Sequence, residues 1–239
     1  MIDSLITVVI PCKNEEQYIA KTLASLQSQL GICKLKVIVA DADSTDNTIN
    51  TIKHAQTQLD NLKIKIIKGG PVAIARNLGA TQVKTPYVLF IDADTELLET
   101  DILQLAVSKL KNYDLVTCQL KSSVNRFKPK LLFKAFNFLR KYVIKHTFCT
   151  GVFFLTNVND FISYGKFDET VTNSEDYLLS RHYPFQKFCI LPRHVTQDDR
   201  RFDHMGYVSF LQMLVMNYIN KNNIDHFRKN INYWKSNNE

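Results

Sequence analysis

No run of this sequence reaches the roughly 20 apolar residues that a helix needs to cross a bilayer, because Lys, Arg, Asn and His interrupt every candidate. Cysteine is too scattered to staple a fold. Cys12, Cys33, Cys118, Cys149 and Cys189 are odd in number and include no Cys-x-x-Cys pair, which argues against a disulfide framework and a zinc site and leaves reduced thiols in strands and core. A secretory leader is missing too: the apolar segment Leu5–Ile10 has no basic flank or cleavage site and is broken by Pro11, so the expected location is cytoplasmic. Repeats and low-complexity linkers are absent, and with 45% apolar and 22% charged residues a folded chain with a sizeable core is expected.

What is present is positive charge, +7 overall with an isoelectric point near 9.1. That balance favours anionic partners such as nucleotide phosphates, lipid headgroups or nucleic acid, without choosing among them.

The first half alternates short apolar runs with amphipathic stretches. Leu5–Ile10, Leu35–Ala40, Ile64–Ile67 and Tyr87–Ile91 read as buried strands, with helices predicted over Glu15–Gln29, Asp46–Leu59 and Val72–Gln82. This rhythm predicts an α/β fold with a mostly parallel sheet, whose strand C-termini line one ligand-binding edge. The second half looks mixed: a helix near Leu97–Lys111, a strand over Asp114–Lys121, a basic and aromatic helix over Arg126–His146, strands at Phe148–Leu155 and Phe188–Leu191, a turn at Gly165 and a helix opening near Ser174. Helices at Tyr207–Asn220 and Ile224–Trp234 close the chain.

The chemistry-bearing residues gather at the predicted edge. Asp92-Ala93-Asp94 follows the strand ending at Ile91, and residues i and i+2 of an extended chain point the same way, so both carboxylates can face one hard divalent cation. Helix capping by the same residues is the competing reading. Two further strand ends carry Pro11-Cys12-Lys13-Asn14-Glu15 and Asp41-Ala42-Asp43-Ser44-Thr45-Asp46-Asn47-Thr48.

In order and spacing these motifs resemble the family 2 glycosyltransferases of GT-A fold. The resemblance implies that Pro11, Asn14, Glu15 and Asp41 contact the nucleoside, whereas Ser44, Asp46 and Thr48 build their turn. The second turn departs from many members at Ala42, where a second carboxylate often stands, and this leaves the nucleobase open. Ala75-Arg76-Asn77-Leu78-Gly79 resembles the family's donor-side helix: Arg76 would face the donor, against a surface salt bridge as the alternative, and Gly79 would permit close helix approach. Asp92 and Ala93 then contact the donor, with Asp94 and Asp92 holding Mg²⁺ or Mn²⁺. Gly165-Lys166-Phe167-Asp168-Glu169 and Glu175-Asp176 resemble the acceptor-side elements and imply Asp176 as catalytic base supported by Glu175, against an ordinary acidic first helical turn. Arg200 or Arg201 would clamp the diphosphate, and His204 is a further candidate ligand for the metal.

The implied protein is a metal-dependent, inverting glycosyltransferase using a UDP- or GDP-sugar, with residues 1–206 as the GT-A domain (1–96 for the nucleotide-sugar, 97–206 for the acceptor) and 207–239 as a helical appendage. A non-catalytic nucleotide-sugar or nucleic-acid binding module and a sugar nucleotidyltransferase are the competing readings. The latter would need a glycine-rich, basic loop after the first strand, where Pro11–Glu15 stands instead. Segment 126–146 mixes aromatic and cationic residues as an interfacial helix does, so it meets either a membrane or lipid-linked acceptor or, as a core-packing helix, water.

Overall fold

A computed structural model describes residues 2–124, 126–200 and 205–229. Seven strands form one sheet: β1 (Ile6–Cys12), β2 (Leu35–Asp41), β3 (Leu62–Lys68), β4 (Tyr87–Phe90), β5 (Leu115–Ser122), β6 (Phe154–Asn157) and β7 (Phe188–Gln197), in the spatial order β3-β2-β1-β4-β6-β5-β7. The first four pair in parallel, β6 runs antiparallel to both its neighbours, and β5 and β7 are parallel. The fold is therefore α/β with a mixed, mostly parallel sheet.

The central strands are buried on both faces, which is why β1 and β2 read as unbroken apolar runs. One face is covered by α1 (Ile19–Gln27), α2 (Thr48–Gln58), α4 (Ile102–Lys109) and α5 (Phe127–Phe138), over a core that includes Ile10, Leu23, Leu26, Leu89, Leu103 and Phe133. The other face carries α3 (Val72–Thr81), α6 (Val158–Ser163) and α7 (Glu175–Ser180), over a core centred on Phe90, Phe154, Phe161 and Phe167. Close approach of α3 to β1 requires Gly79, where a Cβ would lie 2.3 Å from Val9 Cγ1. A turn of π-helix (Leu139–Val143) extends α5, and α8 (Tyr207–Ile219) and α9 (Ile224–Arg228) follow β7. No helix among the described residues is long and apolar enough to cross a membrane.

Three elements depart from the sequence expectation. The helix expected from Leu97 begins only at Ile102, because residues 96–98 bond to β7 instead: Leu97 bridges Val195, and the Glu96 amide donates to Thr196 Oγ1 at 2.8 Å. Strand β7 does not stop at Leu191. A register shift opposite Cys118/Gln119 accommodates Pro192, whose ring cannot donate to a ladder, and pairing resumes at His194. The strand expected over Phe148–Leu155 is strand only from Phe154. Its first half is irregular chain, with Thr147 donating to the Tyr183 carbonyl and the Cys149 amide to Ser180 Oγ.

Candidate active site

Strand order reverses between β1 and β4, and the crevice at their C-terminal ends is where ligands bind in such sheets. Pro11 lies near the end of β1, opposite Ala40 of β2. Beyond it, the turns after β1 and β2 are stitched together. Asn14 takes a left-handed conformation (φ 53°) that asparagine tolerates, and its Oδ1 accepts from the Thr45 amide at 2.8 Å. Ser44 Oγ donates to Asp41 Oδ1 and accepts from the Asn14 amide, while Thr48 Oγ1 accepts from the Glu15 amide at 2.7 Å. Ser44, Asp46 and Thr48 thus build the turn, and Asp41, buried, spends both oxygens on Ser44.

Two arginines organise the rest. Arg76, fully buried on α3, donates through Nη2 to Asp92 Oδ1 at 2.6 Å and through Nη1 to Glu175 Oε1, with Phe167 under its guanidinium. A surface salt bridge is therefore excluded for Arg76. Burial alone would lower its pKa, but Asp92, Glu175 and Asp176 outweigh this and raise it, so the guanidinium stays charged. Glu175 is itself raised, first by burial and then by Asp176, against the lowering pull of Arg76.

Asp176, beside it, accepts from the Gly151 amide at 2.5 Å through Oδ2 and from the Tyr177 amide at 2.6 Å through Oδ1. Gly151 is a residue of this cluster that sequence reasoning does not single out. A Cβ there would fall 2.0 Å from Arg76 Nη2, so glycine lets the loop bond Asp176 and approach the arginine at once. Thr150-Gly151 falls inside the strand expected over Phe148–Leu155, which hides the signal. Asn77, next to Arg76, clamps the Gly165–Glu169 turn: its Nδ2 donates to the Phe167 carbonyl and to Glu169 Oε1, and its Oδ1 accepts from the Phe167 amide. The two motifs are thereby one structural unit.

Arg200, delivered by the extended β7, meets three carboxylates. Its Nη2 lies 2.9 Å from Asp94 Oδ2 and 3.0 Å from Glu15 Oε2, and its Nε donates to Asp198 Oδ1 at 3.1 Å. The guanidinium also covers the Tyr18 ring at 4.1 Å. One cation cannot neutralise three acids. Burial and the Asp94 charge push the Glu15 carboxyl up to about 8 despite Arg200, and Asp94 is raised by burial and by Asp92. Ala93, between the two aspartates, is buried, with its carbonyl accepting from Thr22 Oγ1 at 2.7 Å. Arg201 and His204 lie outside the described residues.

Among the described residues no group of three or more His, Cys, Asp or Glu side chains is arranged to enclose a metal ion. The donor set nevertheless fits one of the Mg²⁺ or Mn²⁺ kind. Such ions are held by one or two carboxylates and complete their shell with phosphate oxygens and water, and here a guanidinium stands among Asp94, Glu15 and Asp198 as a cation would.

The profile of the family described as Glycosyl transferase family 2 matches residues 7–169. The chain belongs to that family. Over 184 residues it is 28% identical to the poly(ribitol-phosphate) beta-N-acetylglucosaminyltransferase TarS of Staphylococcus aureus, covering 73% of this chain and 31% of that protein. It is 26% identical over 193 residues to a Campylobacter jejuni GalNAc(5)-diNAcBac-PP-undecaprenol beta-1,3-glucosyltransferase, covering 77% and 62%. The chain thus spans between about a third and just under two thirds of the length of these two family members. Among solved structures, S. aureus TarS 1-349 with UDP-GlcNAc superposes with a TM-score of 0.65 at 20% identity, covering 82% of this chain and 59% of that one. Mannosyltransferase PcManGT from Pyrobaculum calidifontis, with GDP-Man and Mn²⁺, gives 0.63 at 22% identity, covering 80% and 56%. At that identity the likeness is one of fold, the GT-A fold of the family.

Proposed function

We propose that this protein transfers a sugar, with inversion, from a nucleotide-diphosphate sugar to an acceptor hydroxyl, with Asp176 as base. The observation that carries the reading is the Arg76 guanidinium, buried between Asp92 at the end of the donor strand and Glu175 beside Asp176. One side chain ties donor edge to base, so the base is held by the same group that reads the donor side.

Asp176 takes the acceptor proton as the acceptor oxygen attacks the anomeric carbon. The Gly151 and Tyr177 amides fix its carboxylate, which leaves it as an oriented acceptor whose remaining lone pairs face the substrate. Glu175 and Arg76 position it. The base-and-ribose side is assigned to Pro11, Asn14, Glu15 and Asp41, with Asp92 and Ala93 beside the diphosphate and Arg200 and Arg201 neutralising it. A divalent cation on Asp94 and Asp92 would supply Lewis-acid stabilisation of the leaving diphosphate. UDP-GlcNAc and GDP-Man in the two related structures support UDP- and GDP-sugars as the donors to try first, and Mn²⁺ in the second supports the cation. An undecaprenol-linked glycan in the name of the Campylobacter relative makes a lipid-linked acceptor the first class to try.

A binding screen across UDP-, GDP- and TDP-sugars with Mn²⁺, repeated with Asp94→Ala, tests the proposal. One donor should bind in a metal-dependent way and lose affinity in the variant. Binding of no donor, or binding indifferent to metal and mutation, removes the transferase reading.

A further inference from the structure

Helix α5 packs one side against the sheet, through Phe133 in the core and Asn137, whose side chain bonds both the amide and the carbonyl of Leu120. The opposite side faces water, where polar residues are the rule. Here Phe127, Leu131, Phe138 and, on the π-turn, Tyr142 follow one another at helical spacing, Phe127 being 79% exposed and the other three 57% each. Exposed Lys130, Lys134 and Lys141 repeat the same intervals three residues further on, so a row of cations runs beside a row of aromatic and aliphatic side chains. No acidic residue occurs between positions 126 and 145.

A second helix also exposes an apolar face. Helix α8 contains no charged residue, and its Val208, Leu211, Val215 and Ile219 are exposed at positions i, i+3, i+7 and i+11. The chain just past the π-turn reaches this helix where His146 stacks on Tyr218, ring centroids 5.9 Å apart.

We propose that the exposed faces of α5 and α8 together form a docking surface for an anionic lipid bilayer, lying in the interface without crossing it. Apolar side chains beside a lysine row match the two layers such a surface offers, acyl chain under anionic headgroup, because lysine stems lie along the apolar zone with the ammonium in the headgroups. A second copy of the chain is disfavoured as occupant, since a two-fold contact through this face brings lysine row toward lysine row. The placement has a consequence that rests on the transferase reading: His146 also touches Tyr177, the neighbour of Asp176, so the docked face borders the base and presents it to an acceptor carried by the bilayer.

Co-sedimentation with vesicles of phosphatidylcholine alone, and of phosphatidylcholine and phosphatidylglycerol in equal parts, tests the surface. The protein should pellet with the anionic vesicles. Lys130→Glu with Lys134→Glu and Lys141→Glu should weaken binding roughly 100-fold. Phe127→Ser with Phe138→Ser, and separately Val208→Ser with Val215→Ser, should weaken it with circular dichroism and thermal melting unchanged. No pelleting of the unaltered protein, or pelleting that none of the variants reduces, overturns the proposal. So does a dimer in sedimentation equilibrium that Phe127→Ser with Phe138→Ser dissociates while vesicles stay unbound. Vesicle binding is read without donor or acceptor, so its failure is separable from failure of donor binding.

Discussion

Arg76 and Glu175, 99 residues apart in the chain, form a buried ion pair whose other arm is Asp92, and the residue after Glu175 is Asp176. Removing one partner of a buried pair leaves the other charge stranded, at a cost of about 3–5 kcal/mol, so Arg76→Ala should unfold or melt early. Glu175→Gln keeps a hydrogen-bond acceptor for Arg76 and should fold with reduced turnover. Asp176→Asn should keep donor affinity and lose about 10²- to 10⁴-fold in turnover, the usual share of a general base. Equal turnover in Asp176→Asn and the unaltered protein would move the base elsewhere.

Arg200 lies 2.9 Å from Asp94, on the carboxylate proposed to hold the cation. Arg200→Ala should therefore bind Mn²⁺ more tightly than the unaltered protein when no donor is present, as read by electron paramagnetic resonance of free Mn²⁺. With a nucleotide-sugar present the order should reverse, because the diphosphate loses a positive partner. Unchanged Mn²⁺ affinity without donor would mean that the guanidinium does not hold the cation's place.

Gly79 and its neighbour Leu78 make a paired test of the α3 contact. A Cβ at Gly79 collides with Val9, so Gly79→Ala should cost about 1–3 kcal/mol as overpacking does. Leu78, exposed to solvent, should tolerate alanine with a change within about 0.5 kcal/mol. Chemical denaturation reads both.

Glu15 fixes the sign of a pH effect. Its carboxyl is pushed from an ordinary 4.5 up to about 8, so between those values the folded protein holds a proton that the unfolded chain gives up. Stability through this group is thus present below the unfolded value and falls as pH rises toward about 8. Thermal melting of the unaltered protein should decline across this window more than that of Glu15→Gln, and parallel profiles would remove Glu15 as the cause.

Most of the first 96 residues was legible because their signals are local. Strands buried on both faces read as apolar runs, and the polar residues directly after them mark the ligand edge without further information, as Asp92 and Asp94 after β4 illustrate. The residues after 96 depend on distant pairing. Leu97 lies in a bridge and not a helix only because Val195 is there to pair with it, and Pro192 ends a strand on paper but is absorbed by a bulge opposite Cys118. Gly151 escaped notice for the same reason, since its role is defined by Arg76 and Asp176 on two other elements. The Arg126–His146 helix was legible as amphipathic, but which of its faces meets the sheet was decided by Phe133 and Asn137.

The antiparallel strand β6 lies between β4 and β5, hydrogen-bonded to both, and so sews the parallel β3-β2-β1-β4 part of the sheet to the β5-β7 pair. A joint of that kind does not bend like the cleft between two separately folded lobes. Opening the crevice by swinging its walls apart would break ladder bonds next to Asp92, whereas side chains at the rim can move without that cost. Arg200 letting go of Asp94 would be such a movement, a latch set on a rigid frame.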